Sequence, residues 1–299
     1  MELNKLDIFI EIAQQKPKKR VAVAAAEDIN VLEAIYAAKA NGICDPLLVG
    51  DSKKIRENAE KFNIDLTGTE IIEEKNPSNA SRICVKLIRE EKAHIMMKGL
   101  VSTAEFLRAI LDKENGLRCG NLLSHIGFFD PKRYHKLIAV TDAAQNVAPS
   151  LEDKISIVNN SVNMFNNLGI DKPKIAVLAA VEAVNYKMPA CVDAALITMM
   201  NKRGQFKNAI IDGPLAFDVA ISNEAAKHKG LESEVAGDPD LLLTPDIEAG
   251  NILYKSFTYI GSASVAAVIL GATAPIVLTS RADTEKSKMM SLALAAASC

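Results

Sequence analysis

The sequence contains no tryptophan, and aromatic residues make up only 5% of its 299 positions. Single-stranded nucleic acids are usually held by aromatic side chains on which the bases stack, so this composition argues against such a surface. The 35 basic and 37 acidic residues nearly balance, giving a net charge of −2. Nucleic-acid-binding proteins generally carry a basic bias or stripe. We therefore expect no nucleic-acid partner, and any anion site must be local.

Long apolar runs are also lacking. Residues 1–15 are mixed in charge and have no apolar core of a signal peptide. The most apolar segment, residues 262–278, is too short to span a bilayer and is interrupted by Gly271 and Pro275. The sequence thus predicts a cytoplasmic protein that has no membrane partner.

Cysteine and histidine patterns that hold metals or form disulfides are missing. The five cysteines are odd in number, widely scattered and without a C-x-x-C pair, which indicates reduced thiols. The four histidines form no H-E-x-x-H motif. The chain also has no G-x-S-x-G elbow and no G-x-G-x-x-G after its first predicted strand. These absences disfavour a zinc hydrolase, a serine or cysteine triad and a Rossmann cofactor site, and we expect no metal.

What the sequence does contain is an alternation of short apolar runs and longer amphipathic stretches. Strands are predicted at residues 20–25, 46–49, 69–73, 94–97, 137–141, 174–179, 208–211, 241–244 and 275–279. Helices are predicted at residues 28–41, 52–62, 79–91, 103–111, 151–168, 189–202, 248–270 and 284–297. This order is typical of βαβ units, so the predicted fold class is α/β with a largely parallel sheet. Residues 129–136, polar and containing a proline, are the best linker candidate.

In open α/β sheets, ligands bind beyond the carboxyl ends of the strands. The residues that follow each predicted strand are therefore the first site candidates, and they should converge on one rim. They are Lys98 and Gly99, Asp142, Glu182, Asp212, Asp246 and Glu248, and Ser280 and Arg281.

The sharpest local signal is the run of residues 274–281 (APIVLTSR), which ends a predicted strand just before a predicted helix. A helix N-terminus presents free N–H groups and a positive dipole end, and Arg281 could add two parallel hydrogen bonds to a phosphate. Alternatively, Ser280 or Asp283 only caps the helix and Arg281 is solvated. Residues 98–103 (KGLVST) show the same arrangement: a lysine and a glycine follow a predicted strand, and hydroxyl residues precede a predicted helix. Alternatively, Lys98 is simply solvated. The stretch does not match the Walker A motif.

Two turns are rich in acids, residues 212–218 (DGPLAFD) and residues 244–251 (TPDIEAGN). Carboxylates beyond strand ends could bind a divalent cation or act as bases. They could equally cap helices, as Asp246 would do ahead of Glu248. No spacing requires a metal.

Read in order, these segments resemble the phosphate acetyl/butyryltransferase family along nearly the whole chain. The matching stretches are residues 97–111 (MKGLVSTAEFLRAIL), 212–222 (DGPLAFDVAIS), 235–257 (VAGDPDLLLTPDIEAGNILYKSF) and 271–284 (GATAPIVLTSRADT). The resemblance implies a two-domain fold like that of isocitrate and isopropylmalate dehydrogenases, with an interdomain cleft and a homodimer or higher homo-oligomer. It implies one domain of residues 1–135 plus 270–299 and a second of residues 136–269.

The same resemblance implies an acyltransferase that moves a short-chain acyl group reversibly between coenzyme A and inorganic phosphate. Coenzyme A would be a substrate, and no cofactor would be tightly bound. The Ser280–Arg281 pair would contact the acyl phosphate. Acetyl-specific relatives place a proposed catalytic aspartate where this chain has Ser287, which leaves Asp283 and Glu285 as the nearest acids.

Further substrate contacts would come from Ser124, which resembles another phosphate-contacting serine, and from the strand-end residues Lys98, Gly99, Asp142, Glu182, Asp212 and Asp246. An apolar loop, residues 179–185 (AAVEAVN), replaces a Ser/Tyr-rich loop of acetyl-type relatives and favours the butyryl branch over the acetyl branch. Two other classes stay open: a metal- and NAD-dependent dehydrogenase of related fold, with Asp212, Asp246 and Glu248 as ligands, and a catalytically silent protein that binds acyl-coenzyme A.

Overall fold

The computed structural model describes residues 3–120, 122–279 and 283–299. Backbone contacts divide the chain into two compact units. The central unit comprises Ser124–Val265 and the described residues before Asp7, and the flanking unit comprises Asp7–Leu123 and Ala266–Cys299. Both are mixed α/β structures, which confirms the predicted fold class.

The flanking unit is built on a mostly parallel sheet with strand order β3-β2-β1-β4-β11-β10. Only β10 runs antiparallel to its neighbour β11 among the pairs described for this unit. The strands are β1 (Lys19–Ala24), β2 (Cys44–Gly50), β3 (Glu70–Glu73), β4 (Ile95–Lys98), β10 (Ser264–Leu270) and β11 (Ile276–Val277). The helices are α1 (Ile8–Gln14), α2 (Ile29–Ala40), α3 (Ser52–Lys61), α4 (Pro77–Arg89), α5 (Thr103–Ile110) and α11 (Glu285–Ala297).

Side-chain caps fix where the helices of the flanking unit begin. Asp28 accepts hydrogen bonds from the first turn of α2, Asp51 does so for α3, and Ser102 does so for α5. Each cap takes up N–H groups that have no partner within the helix. Helix α11 packs on α1 and α2, and its residues from Met290 to Ala297 are buried, so the C-terminal stretch belongs to the core.

The central unit has the strand order β5-β6-β9-β7-β8. Strands β5 and β6 form an antiparallel pair, and the remaining pairs are parallel. The strands are β5 (Ser124–Asp130), β6 (Ile138–Thr141), β7 (Lys174–Leu178), β8 (Ile210–Leu215) and β9 (Leu241–Leu243). The helices are α6 (Leu151–Asn167), α7 (Pro189–Lys202), α8 (Phe217–Ile221), α9 (Asn223–His228) and α10 (Ile247–Lys255), and a π-helical turn (Ser256–Ile260) extends α10.

Two stretches differ from the sequence-based prediction. The predicted helix of residues 248–270 was wrong in its second half, because α10 and its π turn end at Ile260 and residues 264–270 (SVAAVIL) form β10. A short apolar run fits a buried strand as well as a helix, so its periodicity could not separate the two. The linker candidate, residues 129–136, instead forms the end of β5 and the connection to β6. The domain limits 135/136 and 269/270 stay a prediction.

An ion network joins the amino ends of three strands of the central sheet. The Lys136 ammonium lies 2.6 Å from a carboxylate oxygen of Asp240 and 2.9 Å from one of Asp238, and Lys174 lies 2.6 Å from Asp238. Partial burial acts to raise the pKa of Asp238, but hydrogen bonds from Lys174, Lys136 and His135 outweigh it and hold that pKa well below its usual range.

A second ion pair ties α6 to α7. The Lys154 ammonium lies 2.6 Å from Asp193, and the two side chains are only 7% and 20% exposed. Because both charges are largely removed from water, each depends on the other for compensation.

Three of the cysteines, Cys44, Cys84 and Cys191, are buried and free, and burial raises the pKa of the Cys44 thiol to about 12.

Within residues 3–120, 122–279 and 283–299, no helix has the length and apolar character needed to cross a membrane.

Candidate active site

The turn after β4 places Lys98 and Gly99 at the carboxyl end of the flanking sheet, as predicted. Gly99 N–H donates to the Ala24 carbonyl at 2.8 Å, so the turn is held directly against the end of β1. A Cβ atom on Gly99 would lie 2.2 Å from the Ala25 carbonyl oxygen, so only glycine fits. Lys98 is 9% exposed and donates to the Gly99 carbonyl at 3.3 Å. A largely buried ammonium therefore lies at this end of the sheet.

The N-terminus of α11 lies beyond β11, the strand that pairs with β4. Thr284 fills the cap position: its hydroxyl accepts from Ser287 N–H at 3.1 Å and lies 3.0 Å from the Ser287 hydroxyl. Ser287 thus contributes its backbone N–H and its hydroxyl to the cap of α11. Glu285 is exposed in the first turn, and the backbone carbonyl of Asp283 accepts a hydrogen bond from Lys288. Ser280 and Arg281 lie outside the described residues.

Asp142 follows β6 in the central unit and is only 2% exposed. One carboxylate oxygen accepts from Ala144 N–H at 2.8 Å and from Gln145 N–H at 2.9 Å. The other accepts from His125 N–H at 3.1 Å and from the Asn146 amide at 2.6 Å. A carboxylate has about four lone-pair sites, and these four donors occupy them. Asp142 therefore shapes the turn after β6.

Two other predicted substrate contacts of the central unit are engaged within it. Ser124 begins β5, is fully buried, and accepts a hydrogen bond from the Asn160 amide at 3.1 Å. Glu182 lies in the loop after β7 and forms an ion pair with Lys229, whose ammonium is 2.7 Å away. The hydrogen bond to Glu182 raises the pKa of Lys229. This pair could not be predicted from the sequence, because its members are 47 positions apart.

Asp212 does not lie beyond the end of its strand. The predicted strand of residues 208–211 is observed as Ile210–Leu215, so Asp212 is within β8, and a register shift between β7 and β8 accommodates the longer strand. At the next position, a Cβ on Gly213 would lie 2.7 Å from the Val177 carbonyl oxygen, and the Gly213 carbonyl accepts from the Thr198 hydroxyl at 3.0 Å. This stretch packs α7 closely on the sheet.

Asp246 caps α10 by accepting a hydrogen bond from Ala249 N–H at 2.8 Å. This is the helix-capping role that the sequence offered as the alternative to a metal ligand or a base. The turn after β6 and the start of α10 are packed together. The Thr244 hydroxyl donates to the Asp142 carbonyl at 3.1 Å, and the Asn251 amide donates to the Ala143 carbonyl at 3.2 Å. The structure therefore packs the turn that holds Asp142 against the start of α10 at Asp246, whereas Glu182 is paired with Lys229 and Asp212 lies within β8.

A large apolar groove beside Asp246 was not predicted from the sequence. Its volume is about 910 Å³. Its walls come from the loop after β7, the start of α7, Phe217, and the apolar side of α10 and its π turn. Phe257 in that turn lies 5.1 Å from Phe129 and 6.2 Å from Phe217 between ring centres. The signal in the sequence that could have indicated the groove is the i, i+3, i+4 spacing of Ala249, Ile252 and Leu253, which is typical of an apolar helix face.

Among the described residues, no group of three His, Cys, Asp or Glu side chains is placed to hold a metal ion. Asp212, Asp246 and Glu248, the ligands of the dehydrogenase alternative, are described residues and do not form such a group.

Known proteins that match nearly the whole of this chain include phosphate acyltransferases of one family. The family described as phosphate acetyl/butaryl transferase matches residues 6–84 and 73–296. A phosphate butyryltransferase of Clostridium acetobutylicum is 48% identical over 95% of this chain and 94% of its own length. A phosphate acetyltransferase of Thermotoga maritima is 39% identical, over 97% of this chain and 98% of its own.

Two solved structures share the fold. A branched-chain phosphotransacylase from Enterococcus faecalis superposes with a TM-score of 0.83 at 32% identity and covers 94% of this chain and 98% of its own. A 4-hydroxythreonine-4-phosphate dehydrogenase from Burkholderia phymatum has a TM-score of 0.56 at 13% identity, covering 95% and 99% of the two chains. The second similarity concerns the fold alone, and it agrees with the predicted dehydrogenase-like architecture.

Proposed function

Because the chain belongs to the phosphate acetyl/butaryl transferase family and is an acyltransferase, we propose that it is a phosphate butyryltransferase. The reaction is the reversible transfer of a butyryl group between coenzyme A and inorganic phosphate. The observation that carries this proposal is 48% identity to a phosphate butyryltransferase along nearly the full length of both chains.

Two features of the chain support butyryl over acetyl transfer. The loop after β7 contributes Ala179 and Ala180 to an apolar groove. The family resemblance implies a Ser/Tyr-rich loop at this place in acetyl-type relatives. At the position of the acetyl-type aspartate, Ser287 is bonded to Thr284 in the helix cap. Phosphate acetyltransferase is the second candidate, because the Thermotoga maritima enzyme is 39% identical.

In the proposed reaction, a phosphate oxygen attacks the thioester carbonyl carbon and the thiolate of coenzyme A departs. Arg281, together with free N–H groups in the first turn of α11, would position the phosphate and neutralise its charge. The buried ammonium of Lys98 would add positive charge at the same sheet end, since β4 and β11 are neighbours. Ser280 would donate to the carbonyl oxygen or the sulfur. Each such donor contributes roughly 3–4 kcal/mol to transition-state stabilisation.

The reverse reaction requires a base, because the thiol of coenzyme A, with a pKa near about 8.5, must lose its proton before it attacks. Asp283 and Glu285 are the acids nearest to the Ser280–Arg281 pair in the sequence. We assign this role to one of the two. Gly99, Asp142, Glu182 and Asp246 would support substrate binding through the turns and loops they occupy. Ser124 and Asp212 would do so through the strands β5 and β8.

Coenzyme A enters this proposal as a substrate, and the proposed mechanism uses no tightly bound cofactor or metal. We place the enzyme in the cytoplasm, as a homodimer or a higher homo-oligomer, with acyl-coenzyme A and phosphate as its partners.

Phosphate-dependent release of free thiol from acetyl-, propionyl- and butyryl-coenzyme A tests the proposal directly. The expected result is turnover that requires phosphate and is fastest with butyryl-coenzyme A. Fastest turnover of acetyl-coenzyme A would instead identify an acetyltransferase. Formation of NADH from NAD with Mg²⁺ present would support the dehydrogenase alternative, and acyl-coenzyme A binding without phosphate-dependent turnover would indicate a silent binding protein.

The role of Arg281 has its own test. Arg281→Ala should lower kcat by about 10²–10³-fold and raise the KM for phosphate, because a positioned donor to the reacting group is removed. Arg56, exposed on α3, provides a matched control: Arg56→Ala should leave both constants unchanged. Phosphate kinetics equal to those of the unsubstituted enzyme would remove Arg281 from the mechanism.

A further inference from the structure

Helix α11 carries a buried lysine close to its N-terminus. The helix begins at Glu285, and Lys288, which follows within the first turns, is only 4% exposed. Lysine is almost never fully buried unless it is paired with an opposite charge. Among the described residues, however, the partner of the Lys288 ammonium is a neutral group, the backbone carbonyl of Asp283, and no carboxylate lies within ion-pair distance. This part of the chain therefore buries a positive charge without a counter-charge.

The dipole of α11 makes the same position unfavourable for a cation. Negative groups are stabilised near the N-terminus of a helix and positive groups near its C-terminus. Other helices of the flanking unit follow this rule, with Lys39, Lys61 and Lys86 in the last turns of α2, α3 and α4. Neither burial nor the helix dipole stabilises the Lys288 ammonium, so folding alone does not account for it.

The side chain of Lys288 extends beyond the N-terminus of its own helix. Side chains on a helix lean toward the N-terminus, and the Lys288 ammonium reaches the Asp283 carbonyl, which precedes the Thr284 cap. An ammonium has three N–H donors, and the Asp283 carbonyl accepts one of them. The other donors have no acceptor within the described ranges of the chain. A positive charge with unused donors thus lies at the turn before α11.

Two further features at this end of the flanking sheet suit an anion. The Thr284 hydroxyl accepts from Ser287 N–H, whereas the structure describes no acceptor for the two earlier N–H groups of α11 in the part of the chain it covers. Lys98, 9% exposed, ends β4, which is the neighbour of β11. A phosphate ion bound here would supply the negative charge that Lys288 lacks.

We infer that Lys288 is a positioning residue of the phosphate site. Its ammonium holds the Asp283 carbonyl and thereby sets the turn that leads into α11. Its charge is buried, where water screens it weakly, and it attracts phosphate to the start of the helix. The bound phosphate in turn compensates the ammonium. This inference rests on the proposed function, in which phosphate binds at this helix N-terminus and Lys288 has no role.

The Lys288→Met substitution removes the charge and keeps the length and the apolar part of the side chain. In the thiol-release assay, the KM for phosphate should rise about tenfold or more, because a charged donor is lost from the site. The KM for butyryl-coenzyme A should stay unchanged. Without phosphate, the Tm of the variant should equal or exceed that of the unsubstituted protein, because a buried charge without a counter-charge is removed. A residue that only stabilises the fold would give a lower Tm and an unchanged KM for phosphate.

A titration of the Tm with inorganic phosphate measures binding without turnover. Ligand binding raises the Tm, and in Lys288→Met this rise should begin at an about tenfold higher phosphate concentration. The general stabilising effect of phosphate salts acts on both proteins equally and does not contribute to the difference. Lys113, exposed in the flanking unit, provides a matched control. Lys113→Met also removes one positive charge and should behave as the unsubstituted protein does in both assays.

The Lys288→Gln variant keeps the inference testable if Lys288→Met does not fold. Glutamine can still donate to the Asp283 carbonyl but carries no charge, so the KM for phosphate should still rise. The same dependence of the Tm on phosphate in the unsubstituted protein and in a folded Lys288 variant would overturn the inference. If the unsubstituted protein releases no thiol in response to phosphate, the proposed reaction is wrong, and the Tm titration still decides the role of Lys288.

Discussion

The Asp142→Asn substitution tests whether Asp142 shapes the turn after β6 or contacts a substrate. The carboxylate of Asp142 accepts four hydrogen bonds and is almost fully buried. Asparagine has nearly the same shape, but one of its two oxygens becomes an amide NH₂ group. If the remaining oxygen still accepts the hydrogen bonds from Ala144 N–H and Gln145 N–H, the new NH₂ group points at the His125 N–H and the Asn146 amide, which are also donors. Two hydrogen bonds to a charged acceptor are then lost.

The size of the loss follows from these contacts. Hydrogen bonds to charged groups contribute about 1.5–3 kcal/mol each, and a buried donor left without a partner costs about 1–3 kcal/mol. Relaxation of the turn will recover part of this. We expect Asp142→Asn to lower the free energy of unfolding by about 2–4 kcal/mol, which corresponds to a Tm lower by roughly 5–10 °C.

Urea denaturation and steady-state kinetics should be measured on the same preparations. If Asp142 only shapes its turn, stability falls while the KM for phosphate and for acyl-coenzyme A stays unchanged below the new Tm. Asp246→Asn is the matched control, because asparagine caps helices as well as aspartate does and stability should be retained. An Asp142→Asn variant of undiminished stability, or one that fails only in KM, would refute this reasoning.

The Lys154–Asp193 ion pair and the ion network around Asp238 give further predictions. Asp193→Ala leaves the buried Lys154 ammonium uncompensated and should lower the free energy of unfolding by about 3 kcal/mol in urea denaturation. The double variant Lys154→Met, Asp193→Leu should recover most of the lost free energy of unfolding. An equal loss in the double variant and in Asp193→Ala would contradict this account. The depressed pKa of Asp238 gives stability that is complete above about pH 4, near its unfolded pKa, and lost as pH falls through the folded value. Asp238→Asn should therefore lower the Tm at pH 7 and make the decline of the Tm below about pH 4 less steep. Parallel curves of Tm against pH for the variant and the unsubstituted protein would contradict this prediction.

Much of the fold could be predicted from the sequence because its signals are local. Predicted and observed bounds agree closely for α7 (Pro189–Lys202) and β7 (Lys174–Leu178), where an apolar run or an amphipathic period stands between clear breaks. The strands β5 and β10 were not predicted, because each is a short apolar run whose pattern does not distinguish a buried strand from a helix segment. Strand pairing, which is a tertiary interaction, decided their structure.

The candidate site shows the same division. Lys98 and Gly99 were correctly placed at a sheet end, because a strand, a glycine and a helix follow one another within a few residues. Asp212 was misplaced because β8 continues to Leu215, and no residue after Ile211 signals that extension. Glu182 was read as available because its partner Lys229 is distant in the sequence. Ionic partners of this kind become visible only in three dimensions.

The close packing at Gly213 bears on how variants of this chain should be screened. The stretch from Asp212 to Leu215 is among the most recognisable in the sequence, which makes it an obvious target for randomisation in a search for altered substrate range. Yet a side chain at Gly213 would collide with the Val177 carbonyl and push α7 away from the sheet. Libraries that diversify these positions would be dominated by poorly expressed chains, and inactivity among them would carry no information about chemistry.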